Sequence, residues 1–227
     1  MPRQDDLVAE LRVPDVRLRR SYLAAVAELA AEGCGAPGDR SGTARQIRTW
    51  SGIWESEEGF TTFVEELRAE SDSRRARAHG LVTSTTWWWV EGEEYLGRIA
   101  LRHYLNDELL EVAGHIGYEV RPSARRRGNA TAMLAALLPL ARLVGIDAVL
   151  ITCDVTNVGS RKVIEANGGT LEDERHGKLR FWIPRAPVPG ASTGVCYDLP
   201  AASCLFQRAP ALERRPPSPL IERPGGP

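Results

Sequence analysis

The sequence predicts a mixed α/β domain, and three observations carry that prediction. Residues 113–154 read strand, helix, strand, an order that demands a parallel strand pair. Residues 81–105 and 169–183 each read as two β-type runs joined by a short polar turn, the pattern of an antiparallel hairpin. The 227 residues are 43% apolar, enough to bury one substantial core.

The elements follow in order. In "DLVAELRVP", Leu7, Ala9 and Leu11 alternate with polar or smaller residues as a half-buried strand does. A helix follows Pro14, capped by Asp15, with Tyr22, Leu23, Val26, Leu29 and Ala30 at helical spacing until Gly33. Residues 34–57 read as a long Gly-rich loop carrying Trp50 and Trp54, long enough to suspect function. "GFTTFVEELRAES" then places Phe60, Phe63, Val64 and Leu67 on one helical stripe. In the first hairpin, alternation sends Trp87 and Trp89 to one face and Trp88 to the other, which suits sheet covering better than base stacking. "AGHIGYEV" is the next strand. The helix after it directs Met133, Leu134, Leu137, Leu138, Ala141 and Val144 to a core and ends at Gly145, with Pro139 expected to cause a kink or a lost bond near the Ala135 carbonyl. "DAVLITCD" is apolar throughout, as a strand covered on both faces is. "NVGSRKVIEANGG" is a short helix with Asn157 as cap and Asn167-Gly168 as stop, and the closing hairpin turns near His176-Gly177.

Charge and composition narrow the function. Lys and Arg total 29 against 30 Asp and Glu, so the arginines of "RPSARRRGNATAML" (121–134) form a local cluster rather than part of a global basic excess. A duplex binder needs about 6–10 phosphate contacts over a wide face, and Arg74, Arg75 and Arg77 with that cluster do not make such a stripe; no nucleic-acid partner is expected. No apolar run reaches membrane-spanning length, and "MPRQDDLVAEL" lacks the design of a secretory signal, so the expectation is a cytoplasmic protein without a membrane partner. Cys34, Cys153, Cys196 and Cys204 show no metal-ligand spacing and read as free thiols, a Cys196–Cys204 disulfide being the alternative; no metal site is expected. From Arg185 the chain turns Pro-rich and loses apolar periodicity, so one domain over 1–184 is expected, followed by a tail over 185–227 that does not fold.

The informative part of the arginine cluster is its glycine. Small residues at Gly128 and Ala130, opening a helix directly after a strand, let first-turn amides close on phosphate oxygens where the helix dipole is positive. Arg125, Gly128 and Ala130 meet the spacing Arg or Gln, two residues, Gly, one residue, Gly or Ala. With the apolar strand and Asn-headed helix that follow, residues 114–183 resemble the cofactor-binding half of the GNAT superfamily of acyl-CoA-dependent N-acetyltransferases. "WWWVEGEEYLGRIALRHYLN" and "GHIGYEVRPS" extend the resemblance over roughly residues 7–184, toward bacterial members of mostly unassigned substrate.

The resemblance implies a twisted mixed sheet with helices on both faces and a splayed parallel strand pair, Gly114 and Gly117 tolerating the bulge that starts the divergence. It implies acetyl-CoA as cosubstrate, its pyrophosphate on the amides of Arg126 to Thr131, with positive field from Arg125, Arg126 and Arg127 and side-chain donors from Asn129 and Thr131. The Tyr118 N–H would polarise the thioester carbonyl, Val120 would pair with the pantetheine amides, and Asn157 and Ser160 would lie near the far end of that arm. The acceptor would be a primary amine of a small molecule or peptide. His115 and Glu119 share a strand face by period two and are the two base candidates, His115 favoured. Where many members carry a tyrosine acid this chain has Ile164, leaving Tyr118 and Tyr104 as substitutes, or solvent. A non-catalytic acyl-CoA sensor is the alternative, Arg102 and His103 are candidates to shape the acceptor pocket, and edge strands near the closing hairpin leave room for a homodimer.

Overall fold

The computed structural model describes residues 8–78 and 80–184. Its strands are β1 (Glu10–Arg12), β2 (Ser84–Glu91), β3 (Glu94–Arg102), β4 (Ile116–Val120), β5 (Ala148–Asp154), β6 (Thr170–Arg175) and β7 (Lys178–Pro184). Its helices are α1 (Arg19–Ala31), α2 (Gly42–Trp50), α3 (Glu57–Ala69), α4 (Ser73–Ala78), α5 (Asp107–Val112), α6 (Asn129–Leu143) and α7 (Val158–Ala166). The seven strands form one sheet in the order β1-β2-β3-β4-β5-β7-β6. All pairings are antiparallel except β4 with β5, the pair joined through α6.

Side-chain alternation builds a core on each face of this sheet. On one face Trp89, Ile99, Leu101, Ile116 and Val120 pack with Met133, Leu134 and Leu137 of α6 and with Ile151 and Phe181. On the other, Trp88, Val90 and Tyr95 meet Tyr22 of α1 and Phe60, Phe63 and Leu67 of α3. Tyr22 stacks on Trp88 at 4.9 Å between ring centroids. The three tryptophans are therefore divided as alternation requires.

Two expectations need correction. Residues 34–57 are not one loop: α2 rises inside them, capped by Ser41, whose hydroxyl accepts from the Ala44 N–H at 3.1 Å. Its buried residues are Thr43, Ala44 and Gln46, too polar and small to print an apolar stripe in sequence. Asp15 caps a 3-10 turn at Val16–Leu18, and α1 starts only after it. α6 runs through Pro139, and the closing turn falls at His176 and Gly177, both at positive φ. Leu7, Cys196, Cys204 and the tail expected over 185–227 lie outside the described residues, among which no helix is long and apolar enough to cross a membrane.

Candidate active site

The site begins where β4 and β5 part. They are in parallel register only at Ile116 and Ile151, whereas β4 matches β3 over five residues from Ile116 to Val120. Gly114, at φ 66, bridges Ile151 just before the divergence, and a Cβ there would lie 2.4 Å from the Leu150 carbonyl oxygen. Only glycine fits this start of the splay. Gly117 is instead in ordinary strand conformation with open space where a Cβ would be.

The splay leaves strand amides unpaired. Arg121 N–H donates to the Leu96 carbonyl at 2.9 Å, and the His115 carbonyl accepts from Arg102 N–H at 2.8 Å, so odd-numbered residues of β4 bond to β3. Tyr118 and Val120 therefore turn their N–H and C=O groups toward β5, which has moved away. That is an open strand edge between two strands of one sheet.

At the end of this edge the chain turns into α6. Arg126 at φ 64 and Gly128 at φ 81 bracket the turn in left-handed conformations. Gly128 is the cap residue, with no side chain capping the helix, and the first bond back to it comes from Ala132 N–H at 3.0 Å. The amides ahead of Ala132 are thus directed out of the helix end, an arrangement suited to an anion.

The arginines divide their work differently from the expected collar. Arg125 Nε donates to the Val120 carbonyl at 3.0 Å and its Nη1 pairs with Glu32, the residue that closes α1, at 2.7 Å, so its head braces the loop. Glu28, one helical turn earlier, holds Arg121 and the Ser123 N–H and hydroxyl. The Arg121 guanidinium pulls the Glu28 carboxyl down to about 2. Arg126 and Arg127 remain exposed. Asn129, expected as a donor to phosphate, is also committed: its Oδ1 accepts from Trp89 Nε1 at 3.0 Å and its Nδ2 donates to the Ala124 carbonyl at 2.9 Å. Glu28 and Glu32 show in sequence only as two acids four apart, and alternation puts Trp89 on this face of the sheet without revealing its bond to Asn129.

Across the gap, Asn157 Oδ1 caps α7 by accepting from Ser160 N–H at 2.9 Å. Ser160 Oγ lies 2.7 Å from the Tyr118 hydroxyl, linking β4 to α7 over the splay. Burial pushes Tyr118 up to about 12, so its hydroxyl keeps its proton. Tyr104 is elsewhere, its hydroxyl on the Leu81 carbonyl, and Ile164 is fully buried in the core. Arg102 donates to the Gly114 carbonyl at 2.9 Å, and His103 Nε2 lies 2.8 Å from the Thr85 hydroxyl.

The two base candidates are in unlike settings. His115 is clamped to one residue of β5: its N–H donates to the Leu150 carbonyl at 2.7 Å and its Nδ1 accepts from the Leu150 N–H at 3.0 Å. It supplies the acceptor that the diverging strand withholds from Leu150. Burial, and then the Arg102 charge, lower it to about 4. His115→Ala would leave that N–H buried and unpaired, and urea unfolding should show a loss of about 1–3 kcal/mol. Because the folded value lies below the ordinary 6.5, the unfolded chain binds the extra proton first; stability present above pH 6.5 is lost as pH falls toward 4. Glu119 is half-buried, and burial raises its carboxyl, opposed by a hydrogen bond from Thr43 of α2 and by the charges of Arg98 and Arg125.

The acetyltransferase (GNAT) domain family matches residues 25–170, more than half of the chain, and the chain belongs to this family of acetyl-CoA-dependent acetyltransferases. No curated protein matched the sequence. Among solved structures, the chain resembles RimL, a ribosomal L7/L12 alpha-N-protein acetyltransferase in complex with coenzyme A. That match has 19% identity and a TM-score of 0.51, covering 78% of this chain and 93% of that one. Mycobacterium smegmatis RimJ in complex with CoA-disulfide matches at 18% identity and a TM-score of 0.52, covering 81% and 89%. The microcin C7 self-immunity acetyltransferase MccE, in complex with acetyl-CoA and AMP, matches at 12% and 0.52, covering 80% and 94%. These likenesses are of fold: a mixed sheet with one parallel strand pair and helices packed on it.

Proposed function

We propose that the chain transfers the acetyl group of acetyl-CoA to a primary amine of a small molecule or peptide by direct attack, with Glu119 as general base. The observation that carries this reading is the open edge of β4 at Tyr118 and Val120, running into the uncapped start of α6 and flanked by a carboxyl raised by burial. The residues fit acetyl-CoA: first-turn amides up to Thr131 for the pyrophosphate, exposed Arg126 and Arg127 for phosphate charge, Val120 for the pantetheine amides and Tyr118 N–H for the thioester carbonyl. Asn157 and Ser160 frame the far side of the gap. When bound, acetyl-CoA supplies an acetyl thioester with a thiolate leaving group.

Glu119 takes the proton that the amine nitrogen sheds as its bond to the acetyl carbon forms, then releases it to solvent. His115, whose Nδ1 is occupied by Leu150 and which stays neutral down to about 4, serves the splay instead. The Tyr118 hydroxyl, too weak an acid to give up its proton, donates a hydrogen bond toward the leaving sulfur, and the thiolate departs as such. Tyr118→Phe is expected to lower kcat by about tenfold or less, the worth of one hydrogen bond at ~1 kcal/mol, with acetyl-CoA affinity kept; steady-state kinetics measure both.

Thermal melts test the cofactor reading. Acetyl-CoA at 100 times its Kd should stabilise the fold by about 2.7 kcal/mol. Thiol release against a panel of amines then separates enzyme from sensor, since a sensor binds without releasing thiol. Ribosomal protein amino termini belong in that panel because of what the RimL structure is named for. We further read the chain as cytoplasmic, in keeping with free Cys34 and Cys153, and the β6 edge as a surface for a homodimer, which sedimentation would reveal.

A further inference from the structure

Three arginines are buried among the described residues: Arg98, Arg121 and Arg180. Arg121 is paired with Glu28 and Glu94, and Arg180 with Glu172 and Asp173. Arg98, only 9% exposed, differs in making no ion pair within 4 Å among the described residues, and its buried Nη1 has no hydrogen-bond partner. Its charge faces Glu119 across the strands, yet a buried guanidinium N–H without an acceptor is costly, and such a group in a native structure calls for a water, an ion or a ligand.

Its surroundings say what that ligand is. Arg98 lies between Trp88 of β2 and Glu119 of β4 in the sheet register. One step along the same face, Thr86 lies opposite Ala100, and Ala100 opposite Gly117. Among the described residues five buried side-chain polar atoms lack a partner: Arg19 Nε, Thr86 Oγ1, Trp88 Nε1, Arg98 Nη1 and Arg180 Nε. Three of these belong to this one face of β2 and β3, and all three can donate. Gly117, beside them, is exposed with open space above it, so the face has a floor on which a small group can rest. Arg98 Nη1 would lie 3.2 Å from a Cβ on Gly42, the first residue of α2, so the guanidinium sits against the positive end of that helix. An anion beside them would relieve both, and a forked guanidinium near a hydroxyl matches the two oxygens of a carboxylate.

We propose that the acceptor amine carries a carboxylate, and that Arg98, aided by Thr86, is the residue that selects it. This rests on the acetyltransferase reading above. Arg98 and Glu119 are cross-strand neighbours, with Cβ atoms about 4.5–5.5 Å apart in such pairs, so carboxylate and amine are separated by only a few bonds. A free α-amino acid and a peptide amino terminus followed by an acidic residue both satisfy this.

Thiol release is measured with glycine against glycinamide, and with Gly-Asp amide against Gly-Asn amide. At least one acid should exceed its neutral partner by tenfold or more in kcat/KM, chiefly through KM, and the pair in which it does so identifies the source. In Arg98→Gln the ratio should fall toward one while acetyl-CoA still raises the melting temperature as in the wild type, and Arg98→Lys should restore part of it. Equal rates for acid and neutral partners in both pairs of the wild type overturn the proposal, a comparison that needs no variant to fold. If acetyl-CoA stabilises the protein but no amine releases thiol, the acetyltransferase reading falls. Selectivity is then decided by calorimetry of N-acetylglycine and N-acetylglycinamide on CoA-saturated protein: binding of the acid alone, lost in Thr86→Val and Arg98→Gln, supports it, and equal binding or none overturns it.

Discussion

Glu119→Gln is expected to lower kcat by about 10²–10⁴-fold, the usual worth of a positioned general base, while the acetyl-CoA-induced rise in melting temperature stays at its wild-type value. The separation follows from the sheet. Glu119 shares its face with Arg98, whereas the amides proposed for the cofactor lie along the open edge of β4 and the start of α6. The pH dependence has a definite sign. Glu119 acts deprotonated, burial raises its carboxyl above the ordinary 4.5, and kcat should therefore fall as pH drops through that raised value. Thr43 of α2, Arg98 of β3 and Arg125 oppose the rise, and Asp39 reinforces it. With the same amine, the glutamine variant should lose this acidic limb. An unchanged rate and limb in the variant would remove Glu119 from the chemistry.

Gly128→Val should abolish the thermal response to acetyl-CoA. Gly128 sits at φ 81 and caps α6; a β-branched residue there is strained by ~1–3 kcal/mol, and relieving the strain turns the first-turn amides away. Nothing lies within 4 Å of a Cβ at this position, so the loss would come from backbone conformation rather than a collision. Gly145 provides the control, since it follows the other end of the same helix at φ 85 with equally open surroundings. Gly145→Val should destabilise the fold comparably and leave the acetyl-CoA response intact. Equal responses in the two variants would separate cofactor binding from the start of α6.

What was legible in sequence is what periodicity and local turn chemistry encode. The strand–loop–helix–strand order around Gly128, the division of Trp87 and Trp89 from Trp88, and the turn at His176-Gly177 all follow from a few neighbouring residues. α2 was hidden because its buried face is Thr43, Ala44 and Gln46, and α4 and α5, of six residues each, are too short to show a period. The site was legible in backbone terms and less so in side chains. Period two reads His115 and Glu119 onto one face, but it cannot reveal that His115 is held by Leu150, 35 residues away. Nor can a run of three arginines show that the first is committed to Glu32, 93 residues away. That the buried Nη1 of Arg98 lacks an acceptor is likewise invisible in sequence.

The central claim is that acetyl-CoA completes the open edge between β4 and β5 and ends on the first turn of α6. Amide hydrogen exchange with and without saturating acetyl-CoA tests it most directly, because the groups proposed to bind are the exchanging N–H groups themselves. Exchange should slow at Tyr118 and Val120 and from Arg126 to Thr131, while the β6–β7 hairpin turn at His176-Gly177 stays unchanged. Binding that protects other segments and leaves these amides exchanging freely would contradict the account.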